Sequence, residues 1–352
     1  MTIVETTQTR TLVVTAGIDT HANFHVAATI DHNGGVLGVE TFDTTTGGHR
    51  SLVRWLAAFG VIDKVGVEGT GSYGAEIARH LTGKGIMVVE VDRPNRQARH
   101  RAGKSDAVDA IAAARAALTG TATGTPKTRD GSIEAIRVLS VARRSGASEW
   151  IQIVNQMRHL CFTAPEEIRR RFEDLTPITL VRTAAALRPR VSGGVVRYTT
   201  LLTLRELGQR ALFLHEQKKR LNAQMRPLIR AAAPELLEVY GVGFDTAAKL
   251  LIAAGDNPHR IRSEAAWAHL CGVAPIAASS GKHQRHRLNR GGNRQANSAI
   301  YRIMMTRMAH DQATKDYIVK RTAEGKTMGE IARMLKRYIA REIYKTLPIT
   351  FN

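Results

Sequence analysis

From Thr11 the chain is β-branched and apolar up to Asp19, a pattern that predicts a buried strand ending on an acid. His25 to Ile30 alternates loosely, Asp31-His32-Asn33-Gly34-Gly35 is turn chemistry, and Val36 to Phe42 returns as the third strand of a meander. Leu52, Trp55, Leu56 and Phe59 then recur at helical spacing. Lys64-Val65-Gly66-Val67-Glu68 predicts another short strand, and it too ends on an acid. A helix from Ala75 to Leu81, a strand from Ile86 to Val91, a basic loop and a helix opening at Asp106 complete the series.

That last helix begins Lys104-Ser105-Asp106-Ala107-Val108-Asp109-Ala110, with two carboxylates three residues apart and so on one face. Like charges held that close repel, and a divalent cation between them is the common remedy. D-x-x-D is also frequent on solvated helix faces, so the pair alone decides nothing. The order of elements resembles the ribonuclease H-like fold, in which the first and fourth strands are central neighbours. That resemblance brings Asp19 and Glu68 together and adds Asp106 and Asp109 from the last helix. ATPases built on the same plan need glycine soon after the first acid, and here Thr20-His21-Ala22-Asn23 follows Asp19. Gly69-Thr70-Gly71-Ser72-Tyr73-Gly74 matches neither common phosphate-loop pattern. It is expected to be a tight turn carrying Glu68, with Ser72 and Tyr73 near a nucleic-acid backbone or merely opening a helix.

Residues 119–132 are rich in Gly and Thr and predict a boundary. Beyond it, Trp150, Val154, Met157 and Cys161 step by four, three and four, and positions 207, 211, 214, 218, 221, 225 and 228 repeat that spacing. Both are coiled-coil seams by period, to be closed within one chain or between chains. Pro165, Pro177 and Pro189 break the stretch between them, and Pro227 is expected to kink or end the second long helix. Around Gly241-Val242-Gly243 the pattern suggests the second half of a helix-hairpin-helix, whose turn offers N–H groups to phosphate, or simply a glycine turn between helices. Lys326 to Glu342 reads either as a packed terminal helix with arginines toward nucleic acid or as half of a helix-turn-helix, and the packed helix is preferred.

Charge sharpens the picture. Fifty-one Lys and Arg against 31 Asp and Glu give a net charge of +20, which draws the chain to polyanions. The cations cluster: Arg93, Arg96, Arg99, Arg101 and Lys104 lie in one loop, and Lys282, Arg285, Arg287, Arg290, Arg294, Arg302 and Arg307 in a stretch without acids. An anionic membrane is the weaker partner, because no long helix pairs a Lys/Arg face with an apolar one. There is no span long enough for a transmembrane helix and no signal-peptide pattern. Cys161 and Cys271 form no disulfide framework or C-x-x-C site, as expected of a cytoplasmic protein. Cys271, His283 and His286 lack a fourth ligand at zinc spacing. Ser279-Ser280-Gly281, followed by cations, is either a turn or a nucleophile beside an arginine phosphate clamp.

Asp19, Val67-Glu68-Gly69-Thr70-Gly71, the Lys104 to Ala110 motif and the Pro275 to Asn297 segment together resemble the DEDD transposases of the insertion-sequence family numbered one hundred and ten, relatives of the Piv-type invertases. The resemblance runs through nearly the whole chain in order. It implies a RuvC-like catalytic domain over residues 1–120, a helical coiled-coil and oligomerisation region over 121–232, and a mostly helical transposase domain over 233–352. It implies Mg²⁺ (or Mn²⁺) on Asp19, Glu68, Asp106 and Asp109, and a catalytic serine at Ser280, with Ser279 as the alternative. It further implies a homo-oligomer, dimer or tetramer, acting on element-end and target DNA under a structured guide RNA near the nucleoid. Nucleic acid is expected to meet Arg99, Arg101, Lys104, Gly241, Gly243, Lys282, Arg285, Arg287, Arg290 and Arg294. Two other readings remain: a hydrolytic nuclease or junction resolvase that leaves Ser280 dispensable, and a non-catalytic nucleic-acid-binding protein.

Overall fold

The computed structural model describes residues 12–91, 105–191, 193–277, 286–287, 289 and 291–348. Its contacts divide the chain into two compact units, Met1–Arg129 and Asp130–Asn352.

In the first unit, β1 (Val13–Thr20), β2 (Phe24–Ile30) and β3 (Val36–Asp43) form the meander, followed by α1 (Thr46–Phe59), β4 (Val61–Glu68), α2 (Ala75–Gly83), β5 (Met87–Val91) and α3 (Asp106–Leu118). The sheet order is β3-β2-β1-β4-β5. β1 pairs antiparallel with β2 and parallel with β4, and β5 adds parallel to β4. The hydrophobic alternation predicts this element order, and β4 starts three residues earlier than expected because Val61 and Ile62 pair with Val13 and Val14.

The two faces of the sheet are filled differently. Ala16, Ile18, Ala27, Val65 and Val67 point to α1 and α2, where Leu52, Leu56, Ile77 and Leu81 complete a core. The other face receives α3, and the sequence there is small. Gly17 of β1 is in register with Gly66 of β4. A Cβ on Gly17 would stand 2.1 Å from the Ala110 carbonyl oxygen, and one on Gly66 would stand 2.4 Å from that of Ala113. Glycine on the strands and alanine on the helix therefore let α3 lie almost backbone to backbone on the two central strands.

Three histidines occupy the α1/α2 side. His25 and His49 are each 1% exposed, with rings stacked 5.5 Å apart, and His80 lies 5.8 Å from His49. The His25 pKa is pushed down to about 4 by burial, with charge on His49 and His21 acting in the same direction. A histidine depressed in the folded state is protonated first in the unfolded chain. Its stabilising contribution is therefore whole above the ordinary value near 6.5 and is lost as pH falls toward 4. Denaturant titrations are expected to show on the order of a few kcal/mol less stability at pH 4.5 than at pH 7. His25→Phe should remove most of that difference, and an unchanged pH slope in that variant would refute the assignment.

Among the described residues the second unit is helical apart from a two-stranded ribbon. α4 (Ser132–Thr163) and α7 (Val195–Ala232) are the long helices, separated by α5 (Glu166–Phe172) and α6 (Pro177–Ala185). Pro165 and Pro177 sit at helix starts, where a missing N–H costs nothing. The predicted seams close within the chain over Val154, Met157, Cys161, Ala211 and Leu214, which share one core with Leu201 and Leu204. Lys218 of the second seam is exposed. Pro227 does not end its helix, which runs on to Ala232; Met225 and Ile229 on either side are buried in the larger core and hold the turn in place. The break comes instead before Pro234.

Next come α8 (Pro234–Glu238), α9 (Phe244–Ala254), α10 (Glu264–Leu270), the ribbon of β6 (Ile276–Ala277) and β7 (His286–Arg287), then α11 (Arg294–His310), α12 (Gln312–Ala323) and α13 (Met328–Thr346). α13 opens with a capping box between Thr327 and Glu330 and buries Ile331, Leu335, Ile339 and Ile343, one face at helical period. It is a packed terminal helix. No described helix is long and apolar enough to cross a membrane.

Candidate active site

The register that pairs Ile18 with Val67 puts Asp19 and Glu68 one residue further on, side by side at the carboxyl ends of the two central strands. Both are 8% exposed. The Gly69 to Gly74 segment turns the chain away from Glu68. Gly69 has φ +69°, and its carbonyl accepts from the Ser72 and Gly74 amides. Thr20 Oγ1 donates to the Glu68 carbonyl at 2.9 Å and ties the two strand ends together. Tyr73 is exposed, whereas the Ser72 hydroxyl donates back to the Gly69 carbonyl.

α3 brings the other two acids. Ser105 is its N-cap, with Oγ accepting from the Val108 amide, so Asp106 and Asp109 occupy the first turn, where the helix dipole favours negative charge. Asp109 is buried at 8% exposure. The close seat of α3 on Gly17 and Gly66 aims this turn at the strand ends.

Asp19, His21 and Asp106 offer ligand atoms that all lie within 4.8 Å of one another. His21 Nε2 is 3.1 Å from Asp19 Oδ2 and 3.5 Å from Asp106 Oδ2. Burial pushes the Asp19 carboxyl above the usual carboxylate range; His21 pulls it back down, and the charges of Asp109 and Asp106 push it up again. The charges of Asp109 and Asp106 thus both act on Asp19, whose carboxylate is hydrogen-bonded to the His21 ring, and Glu68 lies at the adjoining strand end. The donor set is oxygen-rich and anionic, with one nitrogen, and it fits a hard divalent cation such as Mg²⁺ or Mn²⁺.

The hydrophobic and polar pattern does not mark His21 as a site residue. It stands one position past the end of β1 and two beyond Asp19. The remaining candidates divide. Arg99, Arg101, Lys104, Ser279, Ser280, Lys282, Arg285 and Arg290 lie outside the described residues. Arg287 is on β7 and Arg294 opens α11, capped by Asn293. Gly241, at φ +85°, makes the turn between α8 and α9, and its neighbour Gly243 donates its N–H to Thr246 Oγ1 at 2.9 Å.

A mixed α/β unit with an acid and histidine cluster at its central strand ends, joined in sequence to a basic helical unit, describes the class of chain. A family model described as a transposase matches residues 16–162, and a second, the transposase IS116/IS110/IS902 family, matches residues 233–319. The chain belongs to this family of transposases. It is 37% identical over 128 residues to the insertion element IS110 uncharacterized 43.6 kDa protein of Streptomyces coelicolor, a match covering 35% of this chain. That match spans about a third (31%) of the relative's length.

Proposed function

We propose that the protein is a transposase or recombinase that cuts and rejoins DNA by divalent-metal-dependent strand transfer through a covalent serine–DNA intermediate, under a structured guide RNA. The observation that carries this reading is the convergence of Asp19 and Asp106 on His21, with the charge of Asp109 acting on Asp19 and Glu68 at the neighbouring strand end. The sheet order and the position of the acids support a ribonuclease H-like, RuvC-type unit.

Asp19, Glu68, Asp106 and Asp109 would hold Mg²⁺ or Mn²⁺. When bound, such an ion neutralises the attacked phosphate and acidifies the attacking hydroxyl. His21, hydrogen-bonded to Asp19 and close to Asp106, orients those carboxylates. The family resemblance assigns the nucleophile to Ser280, with Ser279 as its alternative. Its Oγ forms a bond to the scissile phosphorus, the bond to the departing deoxyribose oxygen breaks, and the hydroxyl proton leaves as that oxygen gains one. The phosphoester is kept, so rejoining needs no ATP. Arg287 and Arg294 are suited to the non-bridging oxygens.

The test incubates the protein with element-end DNA, guide RNA and Mg²⁺, denatures it, and asks whether protein stays attached to DNA. Attachment supports the proposal. Free nicked products point to a hydrolytic nuclease, and intact DNA in a stable complex to a binding protein. Ser280→Ala is expected to abolish the adduct while leaving DNA and RNA binding unchanged. Adducts that persist there and vanish in Ser279→Ala would move the nucleophile by one residue.

A further inference from the structure

A second concave site lies in the carboxy-terminal unit, between the Gly272–Pro275 segment and α13. It is a groove of about 720 Å³ lined by Arg287, Lys326, Arg333, Lys336, Arg337 and Arg341. Among the described residues the only acid on its wall is Glu330, and that carboxylate caps its own helix by accepting from the Thr327 amide at 2.9 Å. Glu264 pairs with Arg337 and, at 3.2 Å, with Arg341. Among the described residues Arg287, Arg333 and Lys336 form no ion pair within 4 Å, although the charge of Arg333 acts on Glu330. Arg333, Arg337 and Arg341 recur every fourth residue, so they form one stripe with steps of about 6 Å along the axis. Burial beside Arg333 lowers the Lys336 pKa, a cost that a bound anion would relieve.

Tyr338 adds a different chemistry. It lines the same groove, is 46% exposed, and is held edge-on by Tyr317 at 5.9 Å, with the Arg341 guanidinium 6.0 Å from its ring. A fixed, open aromatic face beside a row of cations suits a strand whose bases are unpaired, since a base within a duplex offers no free face. A cavity of this size takes a few nucleotides and not a double helix.

We propose that this groove binds a single-stranded segment of nucleic acid, with phosphates on the cations of α13 and β7 and one base stacked on Tyr338. The inference rests on the transposase reading only for the source of the strand, DNA or RNA. It needs none of the four acids.

The experiment uses the full chain in EDTA, on an Asp106→Asn background that removes strand chemistry from the measurement. Short single-stranded DNA, single-stranded RNA and duplex probes are titrated across a salt series. Arg333→Gln with Lys336→Met, which keeps the buried stem of the lysine, is expected to weaken single-strand binding about tenfold and to flatten the salt slope by about 1.4. Tyr338→Leu should weaken it by about tenfold or more, and Tyr338→Phe should not. The DNA and RNA arms identify the source by which affinity falls. Photocrosslinking of a thio-substituted oligonucleotide should map to the α13 peptide. Unchanged single-strand affinity, crosslinks confined to other peptides, or an equal loss against polyglutamate would each overturn the proposal. If the double variant misfolds, the exposed Arg333→Gln alone still reads one phosphate contact. None of these results bears on the acids, whose own test is strand transfer.

Discussion

Asp106→Asn is expected to lower strand transfer by about three orders of magnitude or more at any Mg²⁺ concentration, while DNA binding stays within a few-fold of wild type. Three orders correspond to about 4 kcal/mol of transition-state stabilisation, a reasonable share for an ion whose carboxylate set has lost one member. The substitution should not harm the fold. The Asp106 side chain is 40% exposed, the helix start is capped by Ser105 and not by Asp106, and removing one charge relieves repulsion on Asp19. A second readout separates metal binding from catalysis. Mg²⁺ or Mn²⁺ should raise the melting temperature of the wild type, with about 2.7 kcal/mol of stabilisation at a hundredfold excess over Kd, and should do so less in the variant. Full strand transfer by Asp106→Asn, or an identical metal-dependent shift in both proteins, would sink the role assigned to the cluster.

Much of this site was legible in the chain itself. The acids at Asp19 and Glu68 each end an apolar run, and D-x-x-D at the head of a helix fixes the relation of Asp106 to Asp109 by helix geometry alone. The strand order then follows from the meander and the two strand–helix repeats, since parallel crossovers leave few alternatives. His21 was not legible, because a polar residue past a strand end has no periodicity and its meeting with Asp106 depends on how far α3 descends. The same holds for the α13 groove. Helical period gives the buried face of Ile331, Leu335 and Ile339, but it does not tell that Arg333, Lys336 and Tyr338 face a concavity also walled by Pro275 and Arg287. Pro227 failed as a stop signal for a related reason: local preference against proline within a helix is outweighed when the flanking Met225 and Ile229 are buried.

The height of α3 above the sheet is the variable that both the fold and the site depend on, and Gly17→Ala tests it. The Gly17 backbone is not in the left-handed region, so alanine brings no conformational strain there, only volume. Its Cβ would meet the Ala110 carbonyl oxygen at 2.1 Å and the Ala114 amide nitrogen at 2.2 Å, both backbone atoms that no rotamer change can move. The helix must lift, and Gly66, pressed against Ala113, loses its own contact as it does. Overpacking against side chains costs about 1–3 kcal/mol, and a clash with backbone belongs at or above the top of that range. At about 4–8 °C per kcal/mol for a unit of this size, the melting transition should fall by 10 °C or more. Gly83→Ala is the internal control. Gly83 is in α2, a Cβ there has nothing within 4 Å, and replacing it should be neutral or stabilise by about 0.4–1 kcal/mol. Below its lowered melting point, Gly17→Ala should also lose strand transfer, because lifting α3 carries Asp106 and Asp109 away from Asp19. Wild-type melting and wild-type activity in that variant would show that α3 tolerates displacement, and the tight glycine–alanine seat would no longer explain how Asp106 comes to lie beside Asp19 and His21.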